Sequence, residues 1–599
     1  MKKLNSLKLL ILVLSILSGC AHYTPEQQVA ETKRLNAFFE KVFNDNIERY
    51  PTWQTYLGLK TNYDKLNNET EEYSLESLEM AKNYLKEMKG FKYDSLTHQG
   101  KLSYTLFKKN LEDRLESWKW RHHGYSLNQM FGYHSGTPSF MINMHRVANK
   151  VEAEAYISRL KEIRRVFKER MVDNLKQKEL GILPPAFVYS KVIEDSQNII
   201  KGYPFTKKEG RSPLYADFVK KVDQLKLKPS EKSQLKGKAS KALLDSVGPA
   251  YKDLISYMKS IQSLQKNSHG AWSLPNGEEY YRYSLQKQTT TDMGPAEIHD
   301  FGLKEVDRIH SEMREIIKKV GFKGNLQDFF NYMKTEKRFK YPDSQAGKEA
   351  YLKKAREIIG TMEKSLPKMF KTLPKARVKV KAVEAYREKS AGIAFYQGPS
   401  LFGDRPGIYY VNLYKMEDNP IYKMEGLAYH EALPGHHMQI AIKTELQELP
   451  KFRRTGGYTA YSEGWGLYSE KLPKEFGFYK DPYSDFGRLT MELWRAARLV
   501  TDTGLHYKKW SREKGIKYLK DNTPNADLEI MKGIERYIVM PGQATTYKIG
   551  MQKILDLRQY AKNELGDKFD IRVFHDIILR SGPLPLDILE DQVVKWVSQ

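Results

Sequence analysis

Cysteine is almost absent from this sequence: Cys20 is the only one in 599 residues, so no disulfide can form within the chain. Long apolar runs are equally scarce. The one such run, Leu9 to Leu17, has nine residues, whereas a helix that crosses a bilayer needs about 20. These absences exclude a small disulfide-stabilised fold and a protein with many membrane-spanning helices.

The first twenty residues have the pattern of an export signal. Lysines at positions 2, 3 and 8 precede the apolar run, and Leu17-Ser18-Gly19-Cys20 follows it. This ending resembles a bacterial lipobox, so we predict a lipoprotein signal peptide at 1–19 and a lipid on Cys20; a plain signal peptide with a chance cysteine is the alternative. Residues 20–45 are predicted to form a tether and leader. His22, in place of an aspartate, favours the periplasmic side of the outer membrane.

Lysine and arginine outnumber the acidic residues, 99 to 74, which gives a net charge of +25. The basic residues are spread along the chain and mixed with acids, without basic blocks. Nucleic-acid binding needs a concentrated basic patch or a known motif, and the export signal argues further against it. The charge therefore predicts a solvated surface that faces anionic lipid or wall polymers.

Periodic apolar residues predict a mostly α-helical protein. From Tyr156 to Leu175 they recur at intervals of three and four residues, and a second stripe of this kind follows Gly294-Pro295. No internal repeat or obvious linker interrupts the pattern. We therefore predict a single helical domain at 46–597, made of a helical half, a small β element and a second helical half that carries the chemistry: 46–375, 376–414 and 415–597.

The β element is predicted from two short stretches. Val378 to Val383 alternates apolar and polar residues, and Gly407 to Leu413 is rich in β-branched and aromatic residues. Both precede a histidine-rich stretch. We expect the second strand to offer a free edge, where an extended peptide could pair with it.

Three of the chain's 14 histidines fall within His430-Glu431-Ala432-Leu433-Pro434-Gly435-His436-His437. Neutral imidazole is the commonest protein ligand of zinc, and a neighbouring glutamate is the usual base for water. The stretch resembles His-Glu-x-x-His, in which one helix supplies two ligands and the glutamate is the base, but it is two residues longer. A lone histidine is more often a hydrogen-bonded structural residue, and the clustering here argues against that alternative.

Pro434 decides how two of these histidines can reach one metal ion. In a regular helix its ring clashes with the carbonyl of His430, and His436 lies about 240° around the axis from His430. A bulge or restart at Leu433 to Gly435 brings His430 and His436 together. A nearly straight helix instead uses His437, about 10.5 Å along the axis. We predict the bulge, with His437 directed toward the substrate or a carboxylate.

A catalytic zinc site needs a third protein ligand. Glu463 is the best candidate, because it lies 27 residues after His436 in a segment whose aromatic residues recur at helical spacing. Glu470, seven residues further on and on the same face, is predicted to orient a ligand histidine. Zinc is the expected metal for two histidines and a glutamate.

Other polar residues of the second half are candidates for contact with a substrate. Between Met491 and His506, charged residues share one face of an otherwise apolar helix, which indicates either an internal ion network or the wall of a polar cleft. A tyrosine hydroxyl can stabilise an oxyanion, and an arginine can hold a carboxylate. His575 could line the cleft or cap a helix. The predicted substrate contacts are Arg498, Arg536, His437, His506 and His575, and the predicted oxyanion-stabilising residues are Tyr537 and Tyr547.

Several motifs in fixed order resemble the bacterial domain-of-unknown-function 885 (DUF885) family, many of whose members are lipoproteins. They are His430 to His437, Glu463-Gly464-Trp465, Arg498 to His506, Arg536-Tyr537, and Phe574-His575-Asp576 with Gly582 to Leu586. The resemblance covers about 30–597 and is densest from 385 onward.

That family in turn resembles the helical zinc peptidases, such as angiotensin-converting enzyme and the thermophilic carboxypeptidases. This implies a large helical fold with a deep interior groove and a small sheet beside the metal-binding helix. Gly435-His436 matches a Gly-His pair of those enzymes, which implies His436 as the second ligand. Their oxyanion-stabilising tyrosine follows an arginine, as Tyr537 follows Arg536.

The predicted function is an exported, lipid-anchored zinc peptidase that hydrolyses oligopeptides. Zinc on His430, His436 and Glu463 would lower the pKa of a bound water, and Glu431 would take its proton and pass it to the leaving amine. Two alternatives stay open: a hydrolase of a non-peptide or cell-wall amide bond, and a metal-free substrate-binding lipoprotein, against which the intact Glu431 argues. The sequence leaves the cleavage direction and the oligomeric state open.

Overall fold

The computed structural model describes residues 23–207, 210–264, 269–383, 388, 392–399, 401 and 406–599. The predicted signal peptide, 1–19, and the predicted lipidation site, Cys20, lie outside the described residues. Helices dominate the described part of the chain, which confirms the mostly α-helical fold. Among the described residues, no helix combines the length and the apolar character needed to cross a membrane.

The helices run in this order: α1 Pro25–Arg49, α2 Pro51–Leu57, α3 Glu71–Met88, α4 His98–Ser117, α5 Tyr133–Asn143, α6 Lys150–Glu179, α7 Ala186–Ile199, α8 Pro213–Asp223, α9 Pro229–Ala242, α10 Gly248–Gln262, α11 Gly277–Thr289, α12 Pro295–Lys319, α13 Leu326–Thr335, α14 Gln345–Ser365, α15 Met424–Glu431, α16 His436–Glu445, α17 Lys451–Thr455, α18 Thr459–Glu475, α19 Pro482–His506, α20 Arg512–Asn522, α21 Asp527–Val539, α22 Thr546–Leu565, α23 Ile571–Arg580 and α24 Leu586–Val597. The two predicted apolar stripes are the buried faces of α6 and α12.

Helix α1 replaces most of the predicted leader. It begins at Pro25, and the Thr24 hydroxyl accepts the Gln27 N–H in a capping box. Its apolar side chains Leu35 and Phe38 are buried with α3 and α4. The boundary predicted at residue 45 is therefore wrong, because an amphipathic face starts only about ten residues into α1 and packs on the body of the protein.

The small sheet lies between α14 and α15 in the chain. It contains β1 Val378–Ala382, β2 Ala394–Gln397 and β3 Gly407–Val411 in the order β1-β3-β2, with β3 parallel to β1 and antiparallel to β2. The two predicted strands are confirmed, and β2 was not predicted. Since β3 is paired on both sides, it offers no free edge, and the predicted addition of a peptide to it is wrong.

The two predicted helical halves share their interior. Helix α12 of the first half packs along α19 of the second, and both contribute to two large apolar clusters. One cluster lies among α5 to α10, and the other surrounds α15, α16, α18 and α22. Helix α19 is buried along almost its whole length. This helix therefore provides a rigid support for the histidine-rich segment that contacts it.

The charged stripe of α19 is largely an internal ion network. Lys548 Nζ lies 2.7 Å and Arg488 Nη1 3.3 Å from the Glu492 carboxylate. Burial alone would raise the pKa of Glu492, but Lys548 and Arg308 lower it well below its usual range. Asp502 is enclosed too, and burial raises its pKa to about 7. Of the two alternatives for this stripe, the ion network describes Glu492, whereas Asp502 accepts hydrogen bonds from the Tyr281 hydroxyl and the Gly542 N–H.

Candidate metal centre

The histidine-rich stretch forms two helices rather than one bulged helix. Helix α15 ends at Glu431 and α16 begins at His436, with a turn between them that contains a cis peptide before Pro434. The His437 N–H donates to the Ala432 carbonyl at 3.1 Å. This hydrogen bond joins residues five positions apart, so the turn is wider than a turn of α-helix. The predicted bulge is therefore a helix break. It has the predicted consequence, since it brings His430 and His436 together.

Gly435 makes this break possible. A Cβ atom at this position would lie 1.9 Å from the His430 carbonyl oxygen and 2.3 Å from that of Tyr429, so no other residue fits against the end of α15. The turn is also attached to α18: the Pro434 carbonyl accepts hydrogen bonds from Trp465 Nε1 at 2.9 Å and from the Ser469 hydroxyl at 3.3 Å. These contacts fix the angle at which α16 leaves α15.

Three predicted ligands converge from three helices. Glu463 Oε2 of α18 lies 3.6 Å from His430 Nε2 and 3.6 Å from His436 Nε2, and one ligand atom of each residue lies within 4.8 Å of the others. In a tetrahedral zinc site with bonds of about 2.0–2.1 Å, ligand atoms are about 3.3–3.4 Å apart. The residues therefore fit a zinc ion with only small movements.

Hydrogen bonds orient both histidine rings. His430 Nδ1 donates to Glu470 Oε1 at 2.7 Å, which leaves the Nε2 lone pair directed at the cluster. The side-chain amide of Gln439 lies 2.9 Å from His436 Nδ1. An amide can offer a donor or an acceptor, so it is compatible with either tautomer of His436. Glu470 therefore lies where it was predicted to lie, within hydrogen-bonding distance of a candidate ligand histidine.

The charges of the cluster favour a cation. Burial lowers the pKa of His430, but its contacts with Glu463 and Glu470 outweigh this and raise the pKa to about 10. Burial would raise the pKa of Glu463, and the two histidines instead hold it well below its usual range. Because metal ligands must be deprotonated, a metal ion and protons compete for these groups.

Glu431 lies beside the cluster without being part of it. It is only 8% exposed at the last position of α15. Burial raises the pKa of its carboxyl group. A carboxylate whose pKa is raised is a stronger base than an ordinary exposed carboxylate.

His437 points away from the cluster, as predicted, but toward the sheet rather than a substrate. Its Nδ1 lies 2.8 Å from the Tyr396 hydroxyl, and its Nε2 donates to the Ala376 carbonyl at 3.0 Å. It is 1% exposed. Because both ring nitrogens are engaged, His437 connects α16 to the sheet, and its assignment as a substrate contact is withdrawn.

His506 and His575 are also internal, so their predicted contact with substrate is withdrawn too. Both are fully enclosed, and burial lowers the pKa to about 4 for His506 and about 3 for His575. His506 Nδ1 accepts from the Ala271 N–H at 2.9 Å, and its Nε2 donates to the Tyr537 carbonyl at 2.9 Å. His575 Nδ1 donates to the Met369 carbonyl at 2.7 Å, and its Nε2 lies 2.8 Å from the Tyr468 hydroxyl.

The two predicted arginines and two predicted tyrosines lie together. The Arg498 guanidinium carbon is 4.8 Å from the centre of the Tyr547 ring, and Arg498 Nε donates to the Tyr537 hydroxyl at 2.9 Å. Arg536 Nη2 lies 3.4 Å from the Tyr547 hydroxyl. Burial would lower the pKa of Arg498, but Tyr537, Tyr547 and then Glu463 raise it.

Arg495 was not among the predicted site residues, yet it connects this group to the cluster. Its guanidinium carbon is 5.7 Å from the centre of the Tyr547 ring, and its Nη2 is 3.9 Å from Glu470 Oε1. Arg495 lies one helical turn before Arg498 on α19, so the three-residue spacing of these arginines was the available signal.

A family comparison agrees with the motifs. The model of a family described as "Bacterial protein of unknown function (DUF885)" matches residues 51–593. The chain belongs to the DUF885 family. A comparison of this chain with curated proteins found no match.

Two solved structures resemble this DUF885 protein along most of the chain. One, named as a candidate lipoprotein from Colwellia psychrerythraea, has a TM-score of 0.89 and 30% identity, and covers 95% of this chain and 99% of its own. The other, a candidate lipoprotein of unknown function from Shewanella oneidensis, has a TM-score of 0.71 and 19% identity, and covers 93% and 99%. The second shares the fold alone. Neither name mentions a metal or a reaction, so the metal and the reaction of this protein stay predictions.

Gly466→Ala is expected to displace His430 and weaken metal binding. A Cβ at Gly466 would lie 2.7 to 3.0 Å from three atoms of the His430 ring, which is also held by its hydrogen bond to Glu470 one turn further along α18. We expect an affinity loss of about 10-fold or more and a destabilisation of about 1–3 kcal/mol, measured by zinc titration and thermal unfolding. Gly457→Ala is the control, since nothing lies within 4 Å of its Cβ. Equal behaviour of the two variants would contradict the close approach.

Proposed function

We propose that this DUF885 protein is a zinc-dependent hydrolase that cleaves peptide bonds in oligopeptides. The observation that carries the proposal is the convergence of His430, His436 and Glu463 from three helices, with the buried Glu431 beside His430. Two histidines and a glutamate form the ligand set of known zinc peptidases, and a glutamate that does not bind the metal is their base. An interior groove that admits oligopeptides and excludes folded proteins is part of the proposal.

Each residue of the cluster has a task in this proposal. His430, His436 and Glu463 hold the ion, which when bound supplies Lewis acidity toward water and the substrate carbonyl. The Glu431 carboxylate accepts a proton from the attacking water and delivers it to the leaving amine nitrogen. Glu470 fixes the His430 ring through the 2.7 Å hydrogen bond at Nδ1.

Tyr547 is the preferred residue for stabilising the oxyanion, ahead of Tyr537. Each tyrosine oxygen accepts from an arginine, Arg536 or Arg498, so its hydrogen is available to donate to developing negative charge. Tyr547 is 7% exposed and Tyr537 1%. The Tyr547 ring also contacts Arg495, which reaches Glu470. This order reverses the one that the resemblance to helical zinc peptidases implied.

Digestion of a defined oligopeptide mixture by the full-length protein tests the proposal, with products identified by mass spectrometry. We expect cleavage that stops with a zinc chelator and returns with added zinc. Cleavage that the chelator leaves unchanged would contradict the zinc dependence. If the zinc-loaded parent cleaves no peptide, the peptide-bond proposal fails, and the cell-wall amide and binding-protein alternatives are tested next.

We also propose that the protein is anchored in the cell envelope by a lipid on Cys20, on the periplasmic side of the outer membrane. The lipobox-like sequence before Cys20 supports the anchor. So do the names of two structural neighbours, which describe candidate lipoproteins.

Cys20→Ala is expected to move the protein from the membrane fraction to the soluble fraction, because Cys20 is the only cysteine available for lipidation. Fractionation with immunoblotting measures the distribution, and intact mass reports the acyl chains. His22→Ala serves as the control and should stay anchored. A Cys20→Ala protein that stays with the membrane as the parent does would rule out the lipid anchor.

A further inference from the structure

Two arginines near the metal centre form no ion pair with any carboxylate of the described residues. Arg498 is 8% exposed and Arg536 is half-buried. Within the described part of the chain, neither forms an ion pair, and their hydrogen-bond partners are neutral side chains. Arginine does not lose its proton in proteins, and a buried charge without a partner is costly. The arrangement is therefore incomplete without an anion.

Other enclosed arginines of the described residues show what a complete arrangement looks like. Arg488 and Arg558 pair with carboxylates. Arg159 has no carboxylate, but three of its nitrogens bond acceptors in the core. By contrast, Arg498 bonds only through Nε, and Arg536 only through Nη2. Most of the donors in these two guanidinium groups have no acceptor among the described residues.

The two arginines face one tyrosine. The Arg498 guanidinium lies over the Tyr547 ring at 4.8 Å, and Arg536 Nη2 approaches the Tyr547 hydroxyl at 3.4 Å. Arg495 contacts the same Tyr547 ring and also approaches Glu470, which accepts a hydrogen bond from the ligand His430. An anion bound by Arg498 and Arg536 would therefore lie next to Tyr547, whose ring Arg495 connects to Glu470 and so to the metal ligands.

We propose that Arg498 and Arg536 bind a carboxylate of the substrate. The inference rests on the proposed hydrolase function and gives it a substrate class: peptides, or other amides, with a carboxylate close to the bond that is cleaved. The planar fork of a guanidinium matches the two oxygens of a carboxylate, and two such groups define its position. The carboxylate is either the C-terminus of a peptide or an acidic side chain, and the chemistry at the arginines is the same.

Binding, rather than turnover, tests this site. Three pools of N-acetylated tripeptides are presented to the zinc-loaded, full-length Glu431→Gln variant: free acids, C-terminal amides, and amides that end in glutamate. The first two pools contain no acidic residues. Retention is measured by affinity selection and mass spectrometry. We expect the free acids to bind about 10- to 100-fold more tightly than the plain amides, because a charge-assisted pair is lost in the amides.

Matched substitutions locate the effect. Arg536→Gln is expected to remove most of the preference for the acids, whereas Lys532→Gln, which removes an exposed positive charge one turn earlier on α21, leaves it intact. Arg498→Lys keeps the charge but not the fork, so it reduces the preference. Amides that end in glutamate and bind as tightly as the acids show that the site accepts a side-chain carboxylate as well as the C-terminus; weak binding of these amides restricts the site to the C-terminus.

The inference and the proposed function can fail separately. Equal binding of all three pools, or a preference for carboxylates that Arg536→Gln leaves unchanged, overturns the carboxylate site even if the parent cleaves peptides. A preference that depends on Arg536 supports the site even if no cleavage is found, in which case the hydrolase proposal alone is wrong.

Discussion

Zinc-loaded parent protein is expected to hold about one zinc ion per chain, and His436→Ala and Glu463→Ala almost none. Glu463 Oε2 is 3.6 Å from both histidine Nε2 atoms, so each replacement leaves two protein ligands for an ion that needs three. We expect the affinity to fall by more than the roughly 10- to 100-fold that loss of a supporting residue causes. Elemental analysis after dialysis measures the metal, and thermal unfolding checks that the fold remains.

His437→Ala and Glu470→Ala complete the set. His437 bonds the sheet through both ring nitrogens, so its loss should leave the zinc content near that of the parent, with lower stability. Glu470 only orients His430, so its replacement should weaken binding by about 10- to 100-fold. Loss of metal in His437→Ala with retention in His436→Ala would overturn the ligand assignment. A greater loss of zinc in Glu470→Ala than in Glu463→Ala would show that Glu470 is the ligand and Glu463 the supporting residue.

Long amphipathic helices were the most predictable part of the fold. Helices α6 and α12 repeat an apolar stripe over 30 and 25 residues, so local irregularities do not hide the period. Strand β2 has four residues, all half-buried, and such a stretch carries no alternation to detect. Whether β3 is an edge or a central strand depends on partners elsewhere in the chain, which its own residues do not encode.

The convergence of His430, His436 and Glu463 was predictable from residue type and spacing, but the backbone between the two histidines was not. Pro434 indicated that a regular helix could not continue, yet a bulge and a complete break both satisfy that condition. The break depends on Gly435 packing against the end of α15 and on the attachment of Pro434 to Trp465. These are tertiary contacts, and they become visible only when α18 is in place.

The internal histidines show the opposite limit. His506 and His575 stand in motifs with polar neighbours, which favours a role at the surface of a cleft. In the structure, His506 bonds a backbone atom 235 residues away and His575 one 206 residues away. A motif marks a histidine as worth attention, but it does not show whether distant backbone groups occupy the ring nitrogens. Arg498 and Arg536 differ from these histidines, because most of their N–H donors have no acceptor among the described residues.

Glu431→Gln is expected to retain zinc and the fold while the hydrolysis rate falls by about 10²–10⁴. The amide has the same shape as the carboxylate but accepts no proton from water, and Glu431 is buried beside the ligands without being one of them. Glu425→Gln, which removes a carboxylate earlier on α15, is the control and should keep its activity near that of the parent. The initial rate is measured on a peptide that the parent cleaves, with zinc content determined on the same samples. Activity within a few-fold of the parent would show that another group removes the proton, whereas loss of both zinc and activity would make Glu431 a ligand rather than the base.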